Sequence, residues 1–324
     1  MRARSALAAL GVLVAVILTG CGGPTGPADA VRVGFFLNVT HGPALLAVAG
    51  EFTSALAGLP VEEQVFASGP EEVSALLGGS LDAGYLGPGP YVLAEGRAPG
   101  RLRLLAGVVT GGQSMVARTG SGIRSVADLA GRTVAVPAHG NTQDLTLRLL
   151  LDRAGLRAAD QGGAVEVVPV KNAALSEAMR QGVVDAALAP APYGERLVAD
   201  GLAAPVPAID AEIAAWRLPA TVLVVTEEFA RANPAATRAL VDANARAVRR
   251  AQADPASVAR LFNAMLAEAT GKEIPERVLR ESLESMRATT AIAPGAMALM
   301  VRSAERSGYS GGPVPASALV PRPG

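Results

Sequence analysis

The sequence predicts an α/β protein built from two related lobes, and three observations support this prediction. Short apolar stretches alternate with segments of helical spacing, which is typical of parallel sheets covered by helices. This alternation restarts near residue 133 with the same order of elements. The chain has 324 residues, and a chain of that length usually forms more than one hydrophobic core. We therefore expect two lobes, each with its own sheet.

The first unit opens with an apolar stretch at 31–37, which predicts a buried strand, and a helix is expected at 42–57. The other elements predicted for this unit are a helix at 71–77 and strands at 83–86, 102–109 and 114–117. The second unit is predicted to contain strands at 133–137, 165–170 and 186–189, and helices at 142–154 and 175–180.

A last strand at 220–226 precedes a region that is expected to be helical. Prolines lie near the starts of most of its segments, as they often do in helices. The predicted helices are 227–232, 235–253, 256–269, 276–288 and 295–307, followed by an irregular Pro/Gly-rich tail. We place lobe I at 31–117 plus 220–324 and lobe II at 118–219, with crossovers near Ala117 and Pro219.

Three short motifs occur in the same order in both units. A His follows the first strand of each unit, at His41 and His139. A Gly-x-x-Asp motif ends at Asp82 and at Asp185, where it more simply predicts a helix–strand corner than a catalytic group. A Pro-x-Pro-Tyr motif then follows the next strand in each unit. All three pairs in order indicate an internal duplication.

The first 20 residues predict a signal peptide, because Arg2 and Arg4 precede an apolar run that is too short to span a bilayer. The run ends in Leu-Thr-Gly-Cys, which resembles the bacterial lipobox, and Cys21 is therefore the expected lipidation site. The alternatives are a secretory peptide with an unmodified Cys, or a short membrane anchor. Residues 21–30 are expected to be a tether, so the protein is predicted to be exported and held outside the cytoplasmic membrane, in the periplasm or at the cell surface.

Composition excludes several classes of function. The 29 basic and 29 acidic residues balance, which argues against a nucleic-acid footprint. One Cys and two His are too few for an intramolecular disulfide, a multi-cysteine metal cluster or a His-rich metal site. The Gly-x-Ser-x-Gly match at 308–312 lies in the irregular tail with no His after it, so it does not predict a hydrolase. We expect no enzyme activity, no cofactor and no metal.

Candidate ligand-binding residues lie where strands lead into helices, because ligands of open α/β sheets bind beyond the carboxyl ends of the strands. His41 and His139 both precede predicted helices, whose free N–H groups attract anions. Taken singly, either His could be an ordinary surface residue, and Asn141 or Thr142 could be a simple helix cap. Tyr193 could face the cleft or pack in the core.

Four segments together are similar to the aliphatic-sulfonate, taurine and nitrate group of substrate-binding proteins that serve ABC importers. They are GFFLNVTHGPAL at 34–45, DAGYLGPGP at 82–90, GNTQD at 140–144 and GVVDA at 182–186. The resemblance implies a type II periplasmic-binding-protein fold, with two Rossmann-like lobes closing on a small anion. It also implies a monomer that delivers the solute to a permease driven by an ATPase.

By this resemblance, both lobes contribute residues to the ligand site. The expected site residues are Asn38, Thr40, His41, Gly87, Pro88, Thr110 and Ser114 in lobe I, and Gly140, Asn141, Thr142 and Pro192 in lobe II. His139 and Tyr193 are added to this set from their positions at strand ends.

The sequence also departs from the family pattern and leaves two alternatives. Members often carry Trp and an acidic residue where this chain has 189–193 (APAPY), so lobe II offers a different wall. One alternative ligand is a heterocycle, such as a thiamine-precursor pyrimidine, stacked on Tyr91, Tyr193 or Trp216. The other alternative is a biosynthetic enzyme on the same fold, which the signal peptide argues against.

Overall fold

Two mixed sheets organise the chain in the computed structural model, which describes residues 29–322. The predicted signal peptide, the lipidation site and the tether up to residue 28 lie outside these residues. The strands are β1 Val31–Phe36, β2 Val61–Phe66, β3 Ala83–Leu86, β4 Leu102–Gly111, β5 Gln113–Arg118, β6 Thr133–Val136, β7 Glu166–Pro169, β8 Ala186–Pro190, β9 Ala203–Pro205, β10 Pro219–Thr226 and β11 Met286–Ala288.

Helices cover both sheets, and none of those within residues 29–322 is long and apolar enough to cross a bilayer. They are α1 Gly42–Leu46, α2 Phe52–Ala55, α3 Gly69–Leu77, α4 Pro88–Arg97, α5 Thr142–Arg153, α6 Leu175–Arg180, α7 Tyr193–Ala199, α8 Pro207–Ala215, α9 Glu227–Ala232, α10 Pro234–Ala253, α11 Pro255–Thr270, α12 Glu276–Glu284 and α13 Ala296–Arg306. A π-helical turn, Ala47–Glu51, joins α1 to α2.

The sheet of lobe I has the strand order β11-β4-β10-β3-β1-β2. Strands β1, β2 and β3 are parallel, whereas β10 runs antiparallel to β3 and β4. One face buries Phe35 and Phe52 against α10 and α11, and the other buries Tyr91 and Met300. Both faces are therefore covered, which explains why β1 and β3 are apolar along most of their length.

The sheet of lobe II has the order β7-β6-β8-β5-β9 and repeats the local geometry of lobe I. The Asp82 carboxylate accepts a hydrogen bond from the Arg32 backbone N–H at 2.9 Å, and the Asp185 carboxylate accepts one from the Thr133 N–H at 3.1 Å. Each Asp therefore ties the start of its lobe's first strand to the start of the parallel neighbour. The predicted two-lobe α/β architecture is confirmed, and both Asp residues shape corners.

The chain crosses between the lobes at a different place from the one predicted. Gly111 and Gly112 adopt left-handed φ values of 81° and 72°, which end β4 and redirect the chain. As a result β5 pairs with β8, so residues 114–117 belong to lobe II and not, as predicted, to lobe I. The return crossing lies between Arg217, with φ of 49°, and the start of β10 at Pro219.

Several elements differ from the sequence-based expectation, and helices α7 and α8 and strand β9 lie where no element was predicted. Strand β2 was not predicted, because it is an edge strand whose middle residues, among them Glu62 and Glu63, are exposed. Its sequence therefore shows no apolar pattern. Helix α4 begins at Pro88, in a Pro/Gly-rich stretch that could also have been read as turns. Residues 286–288 form the edge strand β11 instead of the end of the predicted helix.

Candidate functional site

A cavity of about 30 Å³ lies between the two lobes, where the carboxyl ends of several strands meet. A water molecule needs roughly 10–15 Å³, so the cavity admits only a few non-hydrogen atoms in this arrangement. None of the side chains that line it is an acid, a Lys or an Arg. The lining residues are Phe36, Asn38, Thr40, His41, Ala67, Gly87, Pro90, Pro137, Asn141, Thr142, Gln143, Asn172, Pro190 and Ala220.

Helix α5 of lobe II meets lobe I directly at this cavity. The side-chain oxygen of Asn141 accepts a hydrogen bond from the Gly69 N–H at 3.1 Å, at the start of α3. The Thr142 hydroxyl accepts one from the Gly89 N–H at 3.3 Å, in the first turn of α4. The first turns of three helices therefore converge here, and their positive dipole ends favour a negatively charged guest.

This close approach requires glycine in lobe I. A Cβ on Gly87 would lie 2.1 Å from Oγ1 of Thr142, and a Cβ on Gly69 would lie 2.9 Å from Oδ1 of Asn141. A Cβ on Gly89 would lie 2.9 Å from the backbone of Thr142. Because real Cβ atoms do not approach other atoms so closely, the three glycines allow the first turn of α5 to dock on lobe I.

His41 is buried at the cavity in its neutral form. Its side chain packs on Phe36 with ring centroids 4.6 Å apart, and its Nδ1 accepts a hydrogen bond from the Phe36 N–H at 3.3 Å. Burial lowers the pKa of His41 to about 3, so the ring carries no charge at neutral pH. Because Nδ1 acts as an acceptor, the single ring proton lies on Nε2.

The hydrogen bonds within the protein leave three donors to the cavity. Asn141, Thr142 and His41 each use an acceptor atom in the bonds described above. The hydrogens that these bonds do not use lie on Nδ2 of Asn141, on the Thr142 hydroxyl and on Nε2 of His41, and the Thr142 oxygen also keeps one lone pair. A site that offers donors from neutral groups suits a guest rich in acceptor atoms, such as an oxyanion.

Buried charged groups support the binding turn from behind. Asp144 accepts a hydrogen bond from the Gly140 N–H at 2.8 Å and another from Nε of Arg148 at 2.8 Å. The side chains of Asp144 and Arg148 are 0% and 2% exposed. Arg148 also bonds Asp160, and its Nη2 donates to the Tyr309 hydroxyl of lobe I at 2.7 Å. This network fixes the turn that leads into α5 and links it to the other lobe.

The structure brings six of the predicted site residues together at the cavity. They are Asn38, Thr40, His41, Gly87, Asn141 and Thr142. Six others are not among the lining residues, and a ligand role for them stays a prediction: Pro88, Thr110, Ser114, Gly140, Pro192 and Tyr193. Tyr193 spans the lobes, with its hydroxyl 3.5 Å from the carbonyl oxygen of Leu37.

His139 does not match His41. Its side chain is 46% exposed, and its Nδ1 lies 3.8 Å from the Asp144 carboxylate instead of lining the cavity. The left-handed Gly140 that follows it, with φ of 76°, turns the chain so that Asn141 faces the cavity instead. His139 is therefore not among the residues that line the cavity, and its expected ligand role stays a prediction.

The aromatic residues proposed for a stacked heterocycle are also elsewhere. Tyr91 is fully buried in the lobe I core, where its hydroxyl donates to the Ala318 carbonyl at 2.8 Å. Trp216 packs on the core, with the Arg153 guanidinium 5.8 Å from its ring centroid. Tyr193 is absent from the cavity lining. These positions do not favour the heterocycle alternative.

The cavity lining includes residues outside the predicted set, and the two with polar side chains are Gln143 and Asn172. Asn172 follows β7 in lobe II, and Ala67 follows β2 in lobe I. These two positions correspond in the duplicated lobes. Asn172 could therefore have been predicted from the sequence if β2 had been recognised as a strand.

Comparison with known proteins identifies the family. A model of the NMT1-like family matches residues 25–266. The chain belongs to the NMT1-like family. A Brucella abortus (strain 2308) protein whose name describes it as a binding protein is 35% identical over 158 residues, which are 48% of this chain and 46% of that protein. The taurine-binding periplasmic protein of Escherichia coli (strain K12) is 29% identical over 214 residues, 65% of this chain and 64% of that one. The chain thus matches about half to two thirds of these relatives' length.

Solved structures show the same fold. The alkanesulfonate-binding protein SsuA from Xanthomonas axonopodis pv. citri, bound to MOPS, superposes with a TM-score of 0.72 at 20% identity, covering 91% of this chain and 97% of that one. The desulfurization enzyme DSZB superposes less well, with a TM-score of 0.59 at 22% identity, covering 91% and 97%. The predicted periplasmic-binding-protein fold and the family resemblance are confirmed, while the fold alone is shared with an enzyme.

Proposed function

We propose that this member of the NMT1-like family is the solute-binding component of an ABC importer. It binds a small anionic solute, organosulfonate-like or another oxyanion, between its lobes and delivers it to a permease driven by an ATPase. The observation that carries this proposal is the set of three neutral donors at the interlobe cavity, combined with three converging helix N-termini. The taurine-binding and alkanesulfonate-binding names of its relatives support the same class of solute.

We further propose that the protein acts as a monomer held by a lipid on Cys21 outside the cytoplasmic membrane. The apolar run that ends in Leu-Thr-Gly-Cys supports this proposal. A periplasmic location is also part of the name of the Escherichia coli relative. Metabolic labelling with a fatty acid tests it: the wild-type chain is expected to incorporate label, and a Cys21→Ser variant is not.

Binding without chemistry is the third part of the proposal. A hydroxyl nucleophile needs an adjacent general base, which is itself oriented by a third group. The Nδ1 of His41 faces a backbone N–H instead of a carboxylate, and the Thr142 oxygen accepts from Gly89. This arrangement supports a receptor that holds its solute unchanged. Recovery of the solute intact after incubation with the protein is the expected result.

Isothermal titration calorimetry with ethanesulfonate, nitrate and sulfate tests the binding proposal. We expect at least one anion to bind, and an Asn141→Ala variant to bind it about 5- to 150-fold more weakly, because it loses a donor and the Gly69 bond, about 1–3 kcal/mol together. A His139→Gln variant is the matched control, since His139 lies outside the cavity. No heat with any small oxyanion, or equal losses in both variants, would refute the proposed site.

A further inference from the structure

A second contact between the lobes lies away from the cavity, along the side of α5. Helix α5 belongs to lobe II, because Leu147 and Leu150 pack in the core of that lobe with strands β6 and β8. Another side of the helix meets α13 of lobe I, where the Ser303 hydroxyl donates to the Leu145 carbonyl oxygen at 2.6 Å. Helix α5 therefore carries the binding turn at its start and a separate lobe contact along its length.

Polar contacts continue between α5 and the end of α13. Nη2 of Arg148 donates to the Tyr309 hydroxyl at 2.7 Å. Farther from the cavity, the Arg306 guanidinium pairs with Asp152. The Arg306 carbonyl oxygen accepts a bond from Nε2 of Gln161 at 3.0 Å. We refer to these contacts, together with the one above, as the α5–α13 seam, and none of its side chains lines the cavity.

Tyr309 makes the strongest contact of the seam, because its partner is a buried charge. The side chain of Arg148 is 2% exposed, and its guanidinium carbon lies 4.6 Å from the centre of the Tyr309 ring. The other N–H groups of Arg148 donate to acceptors within lobe II. A hydrogen bond to a charged group is roughly twice as strong as a neutral one. The ion pair of Arg306, whose side chain is 63% exposed, contributes little by comparison.

The end of α13 fixes the direction of Tyr309. Gly308 has the left-handed φ of 70° that ends the helix, and the Tyr309 N–H bonds back to the Ala304 carbonyl oxygen at 2.9 Å. The Tyr309 ring packs on the apolar cluster of lobe I that contains Tyr91 and Met300. Tyr309 therefore moves with lobe I, while its hydroxyl reaches the buried cation of lobe II.

We propose that Tyr309 sets the affinity of the protein for its solute from outside the binding site. The lobes must separate to admit or release a solute, and separation breaks the α5–α13 seam together with the two bonds that α5 makes at the cavity. The observed affinity is proportional to the fraction of molecules whose lobes are together, so the Tyr309 bond strengthens the binding of every solute by one common factor. This inference rests on the proposed function and adds a positioning residue to it, since Tyr309 acts through α5.

Replacing Tyr309 by Phe tests the inference, because this change removes the hydroxyl and keeps the ring over Arg148. The lost bond corresponds to about 10- to 150-fold in the ratio of separated to closed lobes. By calorimetry, we expect Tyr309→Phe to raise Kd at least about fivefold, by the same factor for ethanesulfonate and for each further anion that wild-type protein binds. Tyr309→Ala, which also removes the ring, is expected to raise Kd further.

Tyr91→Phe is the matched control, because it removes a hydroxyl that bonds the Ala318 carbonyl oxygen at 2.8 Å within lobe I. We expect it to lower the melting temperature without changing Kd. Equal Kd in wild-type protein and both Tyr309 variants overturns the inference and leaves the proposed function standing. A similar rise in Kd for Tyr91→Phe also overturns it, as does a factor that differs between anions. No binding of any anion to wild-type protein overturns the proposed function, and the inference with it.

Small-angle X-ray scattering separates opening of the lobes from structural damage. Without solute, the radius of gyration of Tyr309→Ala is expected to exceed that of wild-type protein, and saturating solute is expected to restore the wild-type value. A radius that stays larger at saturation overturns the inference. A raised Kd with an unchanged radius supports it, because the lobes of the solute-free wild-type protein are then already apart.

Discussion

Replacing Gly87 by Ala tests whether the docking of α5 on lobe I controls affinity. Gly87 has φ of −72° and ψ of 155°, which any residue adopts easily and which suits the position before Pro88. An Ala at position 87 restricts the unfolded chain, which stabilises the fold by about 0.4–1 kcal/mol. Ala is also a poorer helix N-cap than Gly, which destabilises the fold by a similar amount. These two effects nearly cancel, so we expect the free energy of unfolding to fall mainly by the hydrogen bond between Gly89 and Thr142 that the new Cβ displaces, about 0.5–1.5 kcal/mol.

The effect on affinity is expected to be larger. The new Cβ would lie 2.1 Å from Oγ1 of Thr142, so the Thr142 side chain must rotate away. It then loses the 3.3 Å bond from the Gly89 N–H and no longer donates to the solute. At about 0.5–1.5 kcal/mol for each hydrogen bond, the loss is about 1–3 kcal/mol, or about 5- to 150-fold in Kd.

A double-mutant cycle measured by calorimetry isolates the mechanism. If Gly87 acts through the Thr142 hydroxyl, Gly87→Ala weakens binding in the wild-type protein but adds little in a Thr142→Ala background. Gly84→Ala is the control, because its Cβ would lie 2.4 Å from the Glu72 carboxyl in the lobe I core. That control is expected to reduce stability without changing affinity. Full additivity in the cycle would refute the reasoning.

Two further predictions concern buried carboxyl groups. Glu72 is 0% exposed, and burial raises its pKa well above the ordinary value, so it stays protonated in the fold at a pH where the unfolded chain releases the proton. As the pH rises above about 4.5, the free energy of unfolding of the wild-type protein should therefore fall by about 1.4 kcal/mol per pH unit relative to that of Glu72→Gln. His41 titrates in both proteins, so its contribution cancels in the difference. A difference in urea unfolding that does not change with pH would contradict this prediction. Asp144→Asn removes one of the two carboxylates paired with the buried Arg148 and leaves Asp160. We expect the free energy of unfolding in the same assay to fall by about 3 kcal/mol. A fall of less than about 1 kcal/mol would show that Asp160 alone compensates the charge of Arg148.

The sequence predicted the duplicated architecture well, because it depends on residues with strong local preferences. Asp82 and Asp185 occur after a Gly in each unit, and both bond the start of the first strand of their lobe. The apolar runs at β1 and β3 are buried on both faces and therefore carry a clear signal. Strand β2 lacks this signal, since its middle residues face solvent.

The site was predicted less completely, because side-chain direction at a turn depends on backbone geometry that residue order does not show. His41 and His139 occupy matching places in sequence, yet only His41 lines the cavity. The left-handed Gly140 decides this outcome, and a Gly–Asn pair in sequence does not reveal which residue turns inward. Asn172 was not predicted because it follows β7, and β2, the strand of lobe I that corresponds to β7, carries no apolar pattern.

The absence of charged side chains from the cavity lining has an energetic consequence for a receptor that must release its solute. An Arg or Lys in a closed, empty cleft would lose its hydration with no counter-charge to replace it. Here the binding groups are amides, hydroxyls and a neutral imidazole, held by bonds to Gly69, Gly89 and Phe36. The buried cation of α5, Arg148, instead lies behind the turn and is paired with two carboxylates. Affinity therefore depends on how precisely the lobes align these dipoles, which is why a Cβ at position 87, in contact with Thr142, is expected to weaken it.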